Sequence, residues 1–496
     1  MKKGNIYTGI VERVDFPNKC IVRPTGDENG ADNAEEFSDG EKVVIKNAIP
    51  HQTVRFRLTK KRKGKFEGML IDVVKPADNE LLQPKCPHFG ECGGCTYQNL
   101  TDEDELAMKR EQVEKLLSQV LSDMGVDVPV EIVQSPVTES YRNKMEFSFG
   151  DEYKNGPLAL GMHKRGSFYD IVTVSGCRIV PADFRAVISE TLSFFAEYNV
   201  PYLHKNDHTG YLRHLLLRHS VNTGEILADL VTAGQWEEGY AVCTDETVNV
   251  PPSESEILER WKDRLLSLES SGKLNGKIAG ILHTRNDSLA DVVKDEGTDI
   301  LYGRDYITEE LLGLKFKITP FSFFQTNSRG AEVLYETVRE FVSDSVPGRV
   351  GKVLYDLYSG TGTIAQILSP VADRVIGVEI VEEAVRAAEE NAGLNGLENT
   401  SFICGDVLKV LDDIEEKPDY IILDPPRDGI HPKALEKIIS YGVENMVYIS
   451  CKPTSLARDL EVFNAKGYRV RRIKCVSMFP KTVHIETVVR LQLANA

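Results

Sequence analysis

The stretch Val353-Leu354-Tyr355-Asp356-Leu357-Tyr358-Ser359-Gly360-Thr361-Gly362-Thr363 decides the fold. Residues 352–356 read as an apolar strand, and the turn over 356–363 carries two glycines that let backbone pass close to a ligand. A helix opens behind the turn. Strands at 375–379, 401–404, 420–423 and 446–450 then alternate with helices at 382–395, 432–440 and 454–466, and a helix over 330–342 precedes the set. Regular β–α alternation predicts an α/β fold with a doubly wound, Rossmann-like parallel sheet over residues 321–496.

Glu379 ends the second strand, seventeen residues after Gly362. A carboxylate there can accept hydrogen bonds from both hydroxyls of a ribose. The third glycine of the dinucleotide fingerprint is missing, so no pyrophosphate has to be cradled. Gly360, Gly362 and Glu379 therefore point to S-adenosylmethionine rather than a nicotinamide cofactor. Asp406, at the end of the third strand, can reach an adenine; a helix N-cap is the plainer alternative.

Asp424-Pro425-Pro426-Arg427 closes the fourth strand. Two prolines stiffen this loop at the carboxyl edge of the sheet, where they can wall a planar base and Asp424 can bond to cofactor or base. Cys451, in Ser450-Cys451-Lys452-Pro453, stands between a strand end and a helix start. A helix N-terminus and the adjacent Lys452 would favour its thiolate. Carbon 5 of uracil is a poor nucleophile until a thiolate adds at carbon 6 and turns the ring into an enolate. The carbon 5 proton must then leave, and Glu486, in an apolar run, is the expected general base, with His484 as a weaker alternative. Cys20, Cys243 and Cys475 read as buried, inert thiols.

Cys86, Cys92 and Cys95 fall within ten residues, with Cys177 as a fourth thiol from another segment. A soft-metal site is the natural reading: a [4Fe–4S] cluster, or zinc with His88 as a ligand.

Residues 1–75 read as a small OB-like β-barrel, with Lys60, Lys61 and Arg62 in a basic hairpin. Residues 76–100 hold the cysteines, and 101–320 read as a central α+β region containing a helix over 106–121 and an acidic excursion over 235–277. The formal charge of −17 argues against a polyanionic partner in general, but local basic patches leave RNA open. No apolar run is long enough for a membrane helix, and no signal-like segment is seen. A cytoplasmic monomer without membrane attachment is expected.

Together these motifs resemble the bacterial uracil-5-methyltransferases of 23S ribosomal RNA, across nearly the whole chain. The resemblance implies a TRAM domain over 1–75, an iron–sulfur segment, a central RNA-binding domain and a catalytic domain. It implies Cys86, Cys92, Cys95 and Cys177 as cluster ligands, Cys451 as nucleophile and Glu486 as base. Phe323-Phe324-Gln325-Thr326-Asn327 matches a cofactor-contacting segment, implying Gln325 as a ligand, with Tyr358, Glu379 and Asp424 at the other cofactor positions. Tyr141, Arg142 and Lys144 match an RNA-facing strand start. In such enzymes the helix at 106–121 packs on the catalytic domain. The alternatives are a tRNA uracil-5-methyltransferase, an amino-group methyltransferase, which needs neither Cys451 nor Glu486, and a non-enzymatic iron–sulfur RNA-binding protein.

Overall fold

The computed structural model describes residues 1–27, 41–237, 240–241, 252–290, 292–345, 353–412, 414 and 416–494. Cys243 and much of the stretch 235–251 lie outside these.

Five strands open the chain: β1 (Ile6–Asp15), β2 (Lys19–Asp27), β3 (Val43–Ile45), β4 (Thr53–Arg62) and β5 (Lys65–Lys75). They close into a barrel in the order β1-β2-β3-β5-β4. Val54, Phe56 and Leu58 alternate inward along β4, the two-residue period of a strand with one buried face. Pro24 and Gly26 interrupt the alternating pattern of β2; Pro24 pairs with Gly9 beside a register shift, where a missing N–H is tolerated. Lys63 (φ 48°) and Gly64 (φ 74°) make the two-residue turn between β4 and β5, leaving Lys60, Lys61 and Arg62 exposed.

Next come α1 (Asp102–Met124) and β6 (Val130–Gln134). The central sheet has seven strands, from β7 (Lys144–Asp151), β8 (Leu158–His163), β9 (Ile171–Thr173), β10 (Leu212–His219), β11 (Glu225–Thr232), β12 (Lys277–Arg285) and β13 (Thr298–Gly303), in the order β13-β12-β11-β10-β7-β8-β9. It packs with α2 (Ala182–Glu197) and α3 (Glu254–Ser270). The expectation of a surface excursion over 235–277 does not hold for its helical part. Ile257, Leu258, Trp261, Leu265 and Leu268 of α3 fall at helical spacing and are buried in the central core, and Trp261 Nε1 donates to Thr191 Oγ1 at 3.1 Å. Acidic residues on the other face disguised a core helix. A hairpin of β14 (Ile307–Leu311) and β15 (Leu314–Ile318) follows.

The remaining elements are α4 (Ser328–Ser345), β16 (Val353–Leu357), α5 (Thr363–Leu368), β17 (Arg374–Glu379), α6 (Glu382–Leu394), β18 (Thr400–Cys404), α7 (Val407–Val410), β19 (Tyr420–Leu423), α8 (Pro432–Ser440), β20 (Asn445–Ser450), α9 (Pro453–Ala465), β21 (Tyr468–Ser477) and β22 (Glu486–Leu493). Their sheet runs β18-β17-β16-β19-β20-β22-β21-β6. β18 to β20 are parallel, β22 is antiparallel to both neighbours, and β6, which the sequence placed in the central region, is the edge strand parallel to β21. Val113, Leu117, Val120 and Leu121 of α1 enter the same core as Leu460 and Phe463 of α9 and Tyr468. Strand order reverses direction between β16 and β19, and a crevice opens at such a switch point on the carboxyl edge. Among the described residues, no helix is long and apolar enough to cross a membrane.

Candidate active site

The turn after β16 forms one wall of that crevice. Tyr358 sits at φ 67°, a left-handed conformation rare for a bulky residue. Gly362 (φ 72°) also needs its missing side chain, since a Cβ there would lie 2.5 Å from the Phe402 ring. Gly360 N–H donates to Glu379 Oε2 at 3.0 Å, and the N–H groups of Ile380 and Val381 donate to Glu379 Oε1 at 2.9 and 3.0 Å. Three backbone donors thus fix the carboxylate, and an ionised carboxylate keeps further lone pairs for ribose hydroxyls. Asp356, fully buried, accepts from Ala365 N–H at 2.9 Å; its second oxygen and Ser359 Oγ are buried with no hydrogen-bond partner. Such orphaned atoms beside a glycine turn suit a polar nucleoside ligand. Asp406 caps α7, its Oδ1 accepting from Leu408 N–H at 2.9 Å, which is the plainer of its two expected roles.

The segment 321–327 closes over the turn. Thr361 Oγ1 donates to the Phe323 carbonyl at 3.5 Å. Asn143 Nδ2 donates to the Gln325 carbonyl at 3.1 Å and to Ser328 Oγ at 2.8 Å, and the buried Arg218 guanidinium donates to the Pro320 and Ser322 carbonyls. The central sheet therefore sets where Gln325 stands.

Asp424 follows β19, its N–H donating to the Leu357 carbonyl at 3.3 Å. The loop after it is held by α9: Ser455 Oγ donates to the Arg427 carbonyl at 2.8 Å, and buried Asp459 accepts from Ile430 N–H and from the Tyr448 hydroxyl at 2.9 and 2.7 Å. Cys451 is the residue after β20. Ser450 pairs with Thr487, so the antiparallel register sets Cys451 beside Glu486, the first residue of β22. Glu486 is only 5% exposed.

These groups share one electrostatic environment. Burial, then the charges of Glu486 and Asp424, push the Cys451 thiol up to about 11, opposed by Arg427. Burial and Asp424 raise Glu486 to about 8, again opposed by Arg427, and burial raises Asp424 to about 7. Asp356 is held well above the carboxylate range by burial and by Asp424. The expectation that Lys452 lowers the Cys451 pKa fails: its ammonium pairs with Asp428 at 3.4 Å, and acids crowd the thiol instead. Arg427 is the cation that acts there, a role not assigned from sequence although the residue ends the Asp-Pro-Pro motif. Tyr335 of α4, also missed, is buried against the three carboxyls. An acid-rich crevice is suited to a cationic ligand such as a sulfonium. His484 is lowered to about 4, chiefly by burial, and so is neutral.

The loop leading to Glu486 is clamped from three sides. Glu105 and Lys109 of α1 form a buried pair at 2.7 Å; Lys109 donates to Ser477 Oγ at 3.1 Å and Glu105 accepts from Lys481 N–H at 2.8 Å. The Thr96 and Tyr97 N–H groups donate to the Lys481 carbonyl at 2.9 and 3.1 Å. Tyr141, expected to face RNA, is buried, and its hydroxyl donates to the Pro480 carbonyl at 2.8 Å. Its neighbours are engaged as well: Arg142 lies over the Phe479 ring, and Lys144 pairs with Glu146 at 2.7 Å.

Cys86, Cys92, Cys95 and Cys177 line one apolar pocket with His88, Phe89, Met145, Met162, Val174 and Ile179. Burial raises Cys92 and Cys177 and pushes Cys95 up to about 12, with the other thiols contributing. Among the described residues, no group of three or more His, Cys, Asp or Glu gathers as a single metal ion requires. His88 Nε2 accepts from Gly176 N–H at 3.0 Å, which removes it as a zinc donor through that nitrogen.

Fold and crevice define a Rossmann-like methyltransferase that uses S-adenosylmethionine. A family described as tRNA (Uracil-5-)-methyltransferase matches residues 276–494. An uncharacterized RNA methyltransferase of Caldanaerobacter subterraneus subsp. tengcongensis is 44% identical over 489 residues, covering 98% of this chain and 99% of the relative. One of Clostridium tetani is 43% identical over 492 residues, covering 99% and 98%. The crystal structure of Pyrococcus abyssi tRNA (uracil-54, C5)-methyltransferase with S-adenosyl-L-homocysteine has a TM-score of 0.71 at 23% identity, covering 98% of this chain and all of that one. The chain belongs to the S-adenosylmethionine-dependent RNA uracil-5-methyltransferases and transfers a methyl group to carbon 5 of uracil.

Proposed function

We propose that Cys451 is the nucleophile and Glu486 the base of this reaction. The observation that carries the reading is the β20–β22 register, which sets thiol and carboxyl side by side next to Asp424. S-adenosylmethionine supplies the electrophilic methyl group. Cys451 Sγ bonds to uracil carbon 6, carbon 5 takes the methyl, Glu486 takes the carbon 5 proton, and the C6–S bond breaks to restore the ring. Glu379, Tyr358, Gly360, Gly362, Gln325 and Asp424 would hold the donor, and Pro425-Pro426 the base.

The RNA is a transfer RNA or 23S ribosomal RNA. The comparisons favour transfer RNA, since both the matched family and the whole-length structural relative bear that description. The ribosomal reading rests on the motif resemblance. The barrel does not separate the two, because a tRNA enzyme shares this fold over its full length. Mapping 5-methyluridine in both RNAs, from cells with and without the protein, decides between them. Loss of the mark from one RNA class assigns the substrate, and retention everywhere overturns the function.

The four cysteines are proposed to hold a [4Fe–4S] cluster. Four thiols that face one apolar pocket are the soft donor set such a cluster takes. The cluster would fix the segment 86–95 to the central sheet. Anaerobically purified protein is expected to be brown and to contain iron and sulfide. Colourless protein with stoichiometric zinc would refute this.

A further inference from the structure

With Tyr141 buried and Arg142 and Lys144 engaged internally, the expected RNA-facing strand offers little surface. The loop between β8 and β9 offers more. Phe168 and Tyr169 are 61% and 55% exposed, with ring centroids 5.4 Å apart and planes perpendicular. The loop is ordered: Lys164 N–H donates to the Asp170 carbonyl at 2.8 Å, and Ser167 Oγ accepts from the Tyr169 and Asp170 N–H groups at 3.3 and 3.2 Å. Lys205 holds its ammonium 4.6 Å from the Phe168 centroid, and the His163 ring stacks at 6.1 Å and 15°. Two aromatic rings fixed in water beside cations form a surface for ligands that carry π faces and negative charge together.

We propose that Phe168 and Tyr169 are a stacking platform for an unpaired base of the RNA substrate, with Lys205 and Lys164 taking the flanking phosphates. The proposal rests on RNA being the substrate, and it adds where the RNA is gripped. Methylating carbon 5 requires the target uridine to leave its stack, which also bares its neighbours. An aromatic platform replaces the stacking they lose, and it works on any base. Lys205 covers the ring face that a base would take; a flexible ammonium can swing from the ring to a phosphate. In a chain of net charge −17, such local cations are needed to hold a polyanion. The platform is also tied to the active site. Lys164 bridges to Cys92, Arg165 donates to the Cys95 carbonyl at 2.5 Å, and the next residues, Thr96 and Tyr97, bind the Lys481 carbonyl in the loop before Glu486.

The test is fluorescence anisotropy with three in vitro transcribed, labelled RNAs: a uridine-bearing stem–loop, a single-stranded oligouridine and a fully paired duplex. The double variant Phe168→Ala/Tyr169→Ala alters only exposed side chains; thermal melts and S-adenosylmethionine titration confirm its fold. It is expected to bind the stem–loop and the single strand about 5- to 100-fold more weakly, from the usual worth of a stacked base. Duplex binding should change less than about twofold, and kcat at saturating RNA should be preserved while KM rises. Phe168→Trp should retain affinity, and Lys205→Ala should lower the salt slope by about one. Unchanged stem–loop affinity in the double variant overturns the platform, as does an equal loss on all three RNAs. If the wild-type protein binds none of them, the RNA reading itself fails instead.

Discussion

Cys451→Ala is expected to lower methyl transfer by at least about 10³-fold, as removal of a covalent nucleophile does, while S-adenosylmethionine affinity stays within about twofold. The split follows from where the groups stand. The turn at 358–362 follows β16 and Glu379 ends β17, whereas Cys451 follows β20, on the far side of β19. Among the described residues the other thiols stand elsewhere: Cys404 lies at the end of β18, Cys20 is inside the barrel, Cys475 is buried in the sheet core, and Cys86, Cys92, Cys95 and Cys177 line their own pocket. Because the Cys451 thiol is pushed up to about 11, its thiolate fraction rises tenfold per pH unit below that value, and wild-type adduct formation should accelerate from pH 6 to 8. Tritium transfer from labelled donor to RNA, alongside calorimetry of donor binding, reads both quantities. Turnover at the normal rate in the variant would rule out the covalent route.

Glu486→Gln should trap the enzyme on its RNA. Glutamine keeps the size of the side chain and cannot accept a proton. Attack at carbon 6 and methyl transfer proceed, the carbon 5 proton stays, and the C6–S bond cannot break. A band shifted by the mass of the RNA should persist on a denaturing gel, carrying one methyl group per adduct. The substitution also deletes a carboxyl that burial and Asp424 already strain upward to about 8, so loss of fold is not expected to mask the result. Methyl transfer with normal release and no shifted band would place the base elsewhere, with neutral His484 next in line.

How much of this was legible in the sequence differs by element. The β–α alternation after residue 353 and the residues at the strand ends could be read directly, because each is a local pattern of apolar runs, turns and single polar residues. What depended on distant partners could not. β6 is five residues long and looks like any short strand; its place beside β21 is set by a core built some 340 residues later. Glu105 and Lys109 have the spacing of a solvent-exposed helical pair, yet they are the most buried charges of α1, because the loop at 477–481 covers them. Tyr141 matched a motif whose role implied exposure, and only the arrival of Pro480 hides it. The environment of Cys451 shows the same limit. Lys452 is its neighbour in sequence, but burial and the charges of Glu486 and Asp424 reverse the expected direction of its pKa, and it is Arg427 that opposes them.

The edge position of β6 has a consequence for synthesis. A ribosome completes 102–134 long before Tyr468 begins the strand that β6 pairs with, a gap on the order of 20 s to 1 min at common elongation rates. Throughout that interval the face of α1 that carries Val113, Leu117, Val120 and Leu121 lacks the α9 and β21 residues it packs with in the finished fold, and Glu105 and Lys109 lack the 477–481 loop that covers them, while the barrel and the central sheet can already close. The nascent chain must therefore carry an unfinished helix–strand unit past two folded bodies and hold it available for the last strands to arrive. The sheet that positions Cys451 and Glu486 is complete only when β21 and β22 arrive and join β6 to β20.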